Sequence, residues 1–217
     1  MKVIIISILS AAVFAAIGMQ SQAQTLIPGS DKAKVIECSD SDKAYLYDDY
    51  LIYTQAAGDF DGSNIYIFSP SSKADPCKMS PRQASYFVGV GEYGGVNKFI
   101  GKYEDLIFLD QWTGRNFKRL IAINVQNKSL VFLDTYAQPE ISSGDLNYFK
   151  TLKAKRKSVR DKIPCPQAQE WEAQGKQVLY VERMSADLNT MKKVSSDEFS
   201  CMPAEPIANI KPSGYGH

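Results

Sequence analysis

The residues that could do chemistry in this sequence are few, and the first of them is a lone histidine, His217. A Ser-His-Asp or Cys-His arrangement needs an imidazole held rigidly beside its nucleophile. His217 lies in a stretch rich in Pro and Gly with few large apolar residues, so such a site is not expected and no catalytic residue is assigned. Carboxylates are the remaining candidates for acid-base work. Glu92, Glu104, Asp105, Asp110 and Asp134 border runs of strand-forming residues. A pair of them about 5–10 Å apart could hydrolyse a glycoside, but that separation is a property of the fold.

Two motifs resemble cofactor sites in letters alone. Gly89-Val90-Gly91-Glu92-Tyr93-Gly94 matches GxGxxG, yet Val96-Asn97-Lys98-Phe99-Ile100 after it reads as strand, where a dinucleotide site requires a helix N-terminus. The glycines are therefore expected to serve a turn or a bulge. Asp59-Phe60-Asp61-Gly62 suggests a calcium loop, but with Gly62 as its required glycine the first and last ligand positions fall on Ala57 and Phe68. No metal and no cofactor is expected.

Cys38, Cys77, Cys165 and Cys201 make an even set without any CxxC spacing, which argues for disulfides rather than zinc. Three pairings are open, and spacing favours two local staples, Cys38–Cys77 and Cys165–Cys201. Each would close a loop of roughly 40 residues, worth about 3–4 kcal/mol in the chain-entropy account.

Binding residues are sought among aromatics and cations. Tyr45, Tyr47 and Tyr53 share strand parity if the turn between them preserves it, and Trp112 and Arg115 fall in an intervening loop. These five form a candidate recognition surface, since aromatic and Arg side chains favour interfaces. Over 150–162, Lys150, Lys153, Lys155, Arg156, Lys157, Arg160 and Lys162 face Asp161 alone. Lys155, Arg156 and Lys157 at its centre could meet an anionic surface or an acidic protein. Nucleic acid is disfavoured, because no binding module accompanies the charge.

These residues must be carried by strands. β-branched and aromatic residues punctuated by Gly, Asp, Asn and Ser predict strands at 44–47, 50–55, 64–69, 86–90, 97–103, 105–110, 119–125 and 129–135. Residues 47–67 align without gaps on 103–123, matching Tyr47 with Tyr103, Asp49 with Asp105, Gln55 with Gln111, Gly58 with Gly114, Ile65 with Ile121 and Ile67 with Ile123. That is a repeated strand-loop-strand unit of the kind that builds meanders and propeller blades. Beyond Pro139, Ser142-Ser143-Gly144-Asp145 offers a helix N-cap, and Leu146, Phe149 and Leu152 predict a short amphipathic helix running toward the break at Ile163-Pro164-Cys165-Pro166, with a second helical piece over 167–173 that turns Trp171 to the core. Strands follow at 177–184 and 191–194. The fold class expected is mainly β, an antiparallel meander forming an open sheet, a sandwich or a partial propeller-like arrangement, with one or two short helices after residue 140.

The whole chain, 217 residues long, opens with Met1-Lys2, an apolar run to Ile17 and the small residues Ser21 and Ala23. Residues 1–23 read as a signal peptide cut before Gln24, leaving no transmembrane span. A single domain over 24–202 and a loose tail over 203–217 would remain. With Lys2 removed, the 25 Lys and Arg fall level with the 24 Asp and Glu, so overall charge selects no partner. The sequence thus points to a secreted or periplasmic, non-enzymatic binding protein for a protein or envelope component, with an inhibitor or immunity role as one form. A carboxylate-dependent hydrolase of an envelope glycan and a structural protein docking on anionic lipid are the competing classes.

Overall fold

Leu106-Ile107-Phe108-Leu109 and Leu120-Ile121-Ala122-Ile123 are continuous apolar runs inside strands, a pattern that needs both sheet faces covered. The computed structural model, which describes residues 26–58, 60–69, 75–113, 118–153 and 157–204, places both runs in the middle layer of a three-sheet stack. Sheet I is β1 (Lys34–Glu37), β2 (Lys43–Leu46), β3 (Leu51–Ala57), β4 (Phe60–Phe68) and β5 (Tyr86–Val88). Sheet II is β6 (Val96–Tyr103), β7 (Leu106–Trp112), β8 (Lys118–Asn124) and β9 (Ser129–Thr135). Sheet III is β10 (Ala137–Ser142), β11 (Asp145–Thr151), β12 (Gln177–Asp187) and β13 (Lys193–Ala204). Within each sheet the strands lie in chain order and pair antiparallel.

Side-chain alternation divides sheet II between two cores. Ile107, Leu109, Ile121 and Ile123 meet Tyr45, Ile52, Ile65 and Ile67 of sheet I, whereas Leu106, Phe108, Leu120 and Ala122 meet Ile141, Leu146, Tyr148 and Met184 of sheet III. Burying one such Leu, Ile or Phe is worth about 1.5–3 kcal/mol, so these two seams hold the layers together. A third cluster, Ala44, Leu51, Tyr53, Phe68 and Met79, lies on the outer face of sheet I.

The repeat seen in sequence is a repeat of meanders. An offset of 56 carries β3 onto β7 and β4 onto β8, with Asp49 and Asp105 each in the tight turn of a hairpin. Residues 26–31 then strap sheet II to sheet III. Ile27 and Asp31 donate backbone N–H to Ile100 O (2.8 Å) and Lys102 O (2.7 Å), and Ile141 donates to Pro28 O (2.8 Å). Gly29 (φ 79°) is required there, since a Cβ would lie 1.8 Å from Ile141 O.

One expectation is overturned. The helix over 142–152 is absent, and its residues form the β10–β11 hairpin, turning at Ser143 (φ 54°) and Gly144 (φ 83°). Two consecutive left-handed residues close an antiparallel pair and cannot continue a helix. Leu146 and Tyr148 then alternate into the core with sheet II. Among the described residues the α-helices are α1 (Lys157–Arg160) and α2 (Ala168–Ala173), and Trp171 on α2 is half-buried. Among the described residues no helix is long and apolar enough to cross a membrane.

Both disulfides join the expected partners, Cys38–Cys77 and Cys165–Cys201. The first ties the 3-10 turn Pro76–Lys78 to the outer face of sheet I, and the second ties β13 to the segment leading into α2. Residues 1–23, read from sequence as a signal peptide, and residues 205–217 of the expected tail lie outside the described residues, while β13 itself runs on to Ala204.

Candidate functional site

The three tyrosines expected to share a face do not. The β2–β3 register sets Tyr45 opposite Ile52 and Ala44 opposite Tyr53, so Tyr45 and Tyr53 leave the sheet on opposite sides. Tyr45 is sealed against Phe99, 4.8 Å between ring centroids, and burial pushes its hydroxyl up to about 12. Tyr47 flanks Lys102, whose Nζ is 5.1 Å from the Tyr47 ring and 5.6 Å from that of Tyr50. The Lys102 side chain is 3% exposed and bonds Asp31 Oδ2 (2.8 Å) and Asp49 Oδ2 (2.9 Å). A buried ammonium needs such compensation. The cluster joins the strap, the β2–β3 turn and β6, and sequence reasoning missed it because its parts are scattered along the chain.

Tyr53 belongs instead to a cross-strand ladder of rings. Tyr53, Tyr66 and Phe87 are directly opposed across β3, β4 and β5. Centroids lie 6.2 Å apart for Tyr53 and Tyr66, and 5.0 Å apart for the stacked Tyr66 and Phe87. Tyr53 is buried and donates to Asp42 Oδ2 (3.1 Å); Tyr66 is half-buried and donates to Gln55 Oε1 (3.4 Å). Phe87 ends the ladder on a three-residue edge strand, 46% exposed. Neighbouring rings hold it in place, so the side chain is both apolar to solvent and conformationally restricted.

Trp112 occupies a second place, the end of β7 facing sheet III. Lys118 lies directly across from it on β8, with Nζ 4.6 Å from the indole centroid and 2.8 Å from Asp110 Oδ2. Asp110 is 6% exposed, with its Oδ1 closed off from solvent. Tyr136 faces the same carboxylate: burial first, and then the negative charge of Asp110 and a hydrogen bond to it, hold its hydroxyl well above the usual tyrosine range. Asp110, Lys118 and Tyr136, but not Trp112, line an open cleft of about 420 Å³ with Leu26, Ile27, Pro28, Ile100 and Pro139, and with Glu140 and Gln138.

Several of the remaining candidates have structural partners. The GxGxxG segment is a tight loop around the 3-10 turn Glu92–Gly94, with Tyr93 at φ 61°, and leads directly into β6. Buried Asn97 and Gln111 hold it: Asn97 Nδ2 donates to Gly89 O and Glu92 O, each 3.0 Å away, and Gln111 Nε2 donates to Glu92 O (3.0 Å). Arg119 donates to Tyr93 O (2.9 Å) and to Gln111 Oε1. Glu92 accepts from Gly89 N, Asp105 from Tyr50 and Gln126, and Asp134 from Tyr148, Lys150 and Lys193. Lys150 is thereby withdrawn from the basic segment, and Arg160 lies over the Tyr180 ring, 4.8 Å from its centroid. Arg115, Lys155, Arg156 and Asp59 lie outside the described residues, as do the side chains of Asp61 and Lys157. Among the described residues no group of three metal-ligating side chains converges.

Comparison with protein-family models, curated proteins and solved structures finds no match to this chain.

Proposed function

We propose that this chain is an exported, non-enzymatic binding protein that recognises a protein partner through the outer edge of sheet I. The observation that carries the reading is the ring ladder ending at Phe87. An exposed aromatic side chain normally loses rotamer freedom when a partner covers it, whereas Tyr66 already restricts this one. Rigid aromatic anchors of this kind dominate protein interfaces. The short edge strand beneath it limits self-pairing through the backbone and leaves side-chain recognition as the mode of contact. Export is supported by the leader-like sequence of residues 1–23 and by the two disulfides, which persist in oxidising compartments.

The test is paired capture from envelope and secreted material with oxidised wild type, Phe87→Ala and Phe199→Ala. Phe199 is a control, exposed to a comparable degree on β13. A single stoichiometric protein held by wild type and Phe199→Ala, and bound about tenfold or more weakly by Phe87→Ala, is the expected result. Nothing stoichiometric, or retention indifferent to residue 87, contradicts the reading.

A further inference from the structure

The loop that follows β5 carries Gly89, Gly91, Gly94 and Gly95, and the fold demands only the last two. Gly94 sits at φ 76°, and a Cβ on Gly95 would come 2.4 Å from Trp112 O. Gly91, at φ −94° and ψ 0°, has the i+2 geometry of a type I turn, which most residues accept, and Glu92 N closes that turn on Gly89 O (3.1 Å). Gly89 lies outside the left-handed region, and its bonds to Glu92 and Asn97 use main-chain atoms that any residue supplies. Among the described residues, a Cβ at 89 would meet only Cε1 and Cζ of Phe87, each at 3.5 Å, an ordinary contact. Alanine there would restrict the unfolded chain without straining the folded one, so glycine gives up stability at this position.

What glycine provides at 89 is access. Residue 89 is two along from Phe87 and on the same face, so any side chain there would lie against the ring, which is 46% exposed. Gly91, also exposed, continues the bare surface. We infer that Gly89 and Gly91 form a strip for close approach of the protein partner: a segment of the partner's chain runs over the two glycines in van der Waals contact and sets an apolar side chain against the Phe87 ring. This rests on the protein-partner reading and adds what the partner presents to Phe87.

The experiment has two arms. Urea unfolding compares oxidised wild type with Gly89→Ala, Gly91→Ala and Gly94→Ala; midpoints at or above wild type are expected for the first two, and one below it for the third. Capture from envelope and secreted material then compares wild type, Gly89→Ala and Gly89→Val. The protein held by wild type is expected to bind Gly89→Val about tenfold or more weakly, because a side chain forced into a packed contact costs at least that much. Should Gly89→Val fail to fold, a loss of about threefold in Gly89→Ala decides in its place. A midpoint for Gly89→Ala clearly below wild type means that the fold itself needs the glycine, and overturns the inference. Full retention by a folded Gly89→Val protein also overturns it, and where Phe87→Ala has lost that same protein the partner reading still stands. Wild type that retains nothing removes both.

Discussion

Asp134 carries a stability term that can be read from pH. Burial pushes its carboxyl up, but hydrogen bonds and charge from Lys193 and Lys150 outweigh that, and the net shift is downward from 3.8. A carboxyl depressed in the folded state contributes stability that is fully present above its unfolded value and lost as pH falls through the folded one. Asp134→Asn is therefore expected to cost about 1–3 kcal/mol at pH 7, with the difference from wild type closing below about pH 4. Urea unfolding of both proteins from pH 7 to about pH 2.5 checks this, and a pH-independent gap would be the wrong sign of evidence. Lys102 makes a larger claim. Lys102→Met leaves Asp31 and Asp49 facing each other without the ammonium, and a loss of about 3 kcal/mol is expected, below the limit for a fully buried pair because both aspartates are partly exposed. Denaturant titration at neutral pH measures it; a loss under about 1 kcal/mol would mean that the cluster does not hold the strap.

At the scale of elements, the strands between 86 and 135 were legible because runs of β-branched and aromatic residues and the turn residues between them agree there. The hairpin over β10 and β11 was not, since Leu146, Phe149 and Leu152 coincide with a helical spacing. What decides it is that Ser143 and Gly144 both sit at positive φ and that Leu146 and Tyr148 find sheet II beneath them. Packing of a remote sheet outweighed a three-residue periodicity. Trp112 and Tyr53 could be singled out from sequence as aromatic candidates, yet their actual companions could not. The pairing of Tyr53 with Tyr66 and Phe87 depends on a register that one residue of slip would invert. Asp110 meets Tyr136 and the strap only because sheets II and III are brought together. The Cys38–Cys77 bridge acts at this same scale, tying the covering turn to sheet I across 39 residues. Changing both cysteines to Ser is expected to cost about 3–4 kcal/mol in chemical denaturation. A cost below about 1 kcal/mol would show that Met79 and its neighbours hold the turn unaided.

For the molecule as a whole, the three meanders form a stack in which the inner strands β7 and β8 of sheet II have both faces buried and supply rigidity to the two outer sheets. On the proposed binding reading, recognition falls to what the outer layers present. The aromatic ladder is anchored at Tyr53 by the cluster of Ala44, Leu51, Phe68 and Met79 and by the Asp42 hydrogen bond, and it delivers one restricted ring, Phe87, to the surface. The most direct test of recognition at Phe87 is photocrosslinking with p-benzoylphenylalanine placed at position 87, and in parallel at position 199, in the protein produced by its own cells. One discrete protein adduct from position 87 is expected, and none of that mass from position 199. No adduct at 87, or the same adducts from both positions, would contradict it.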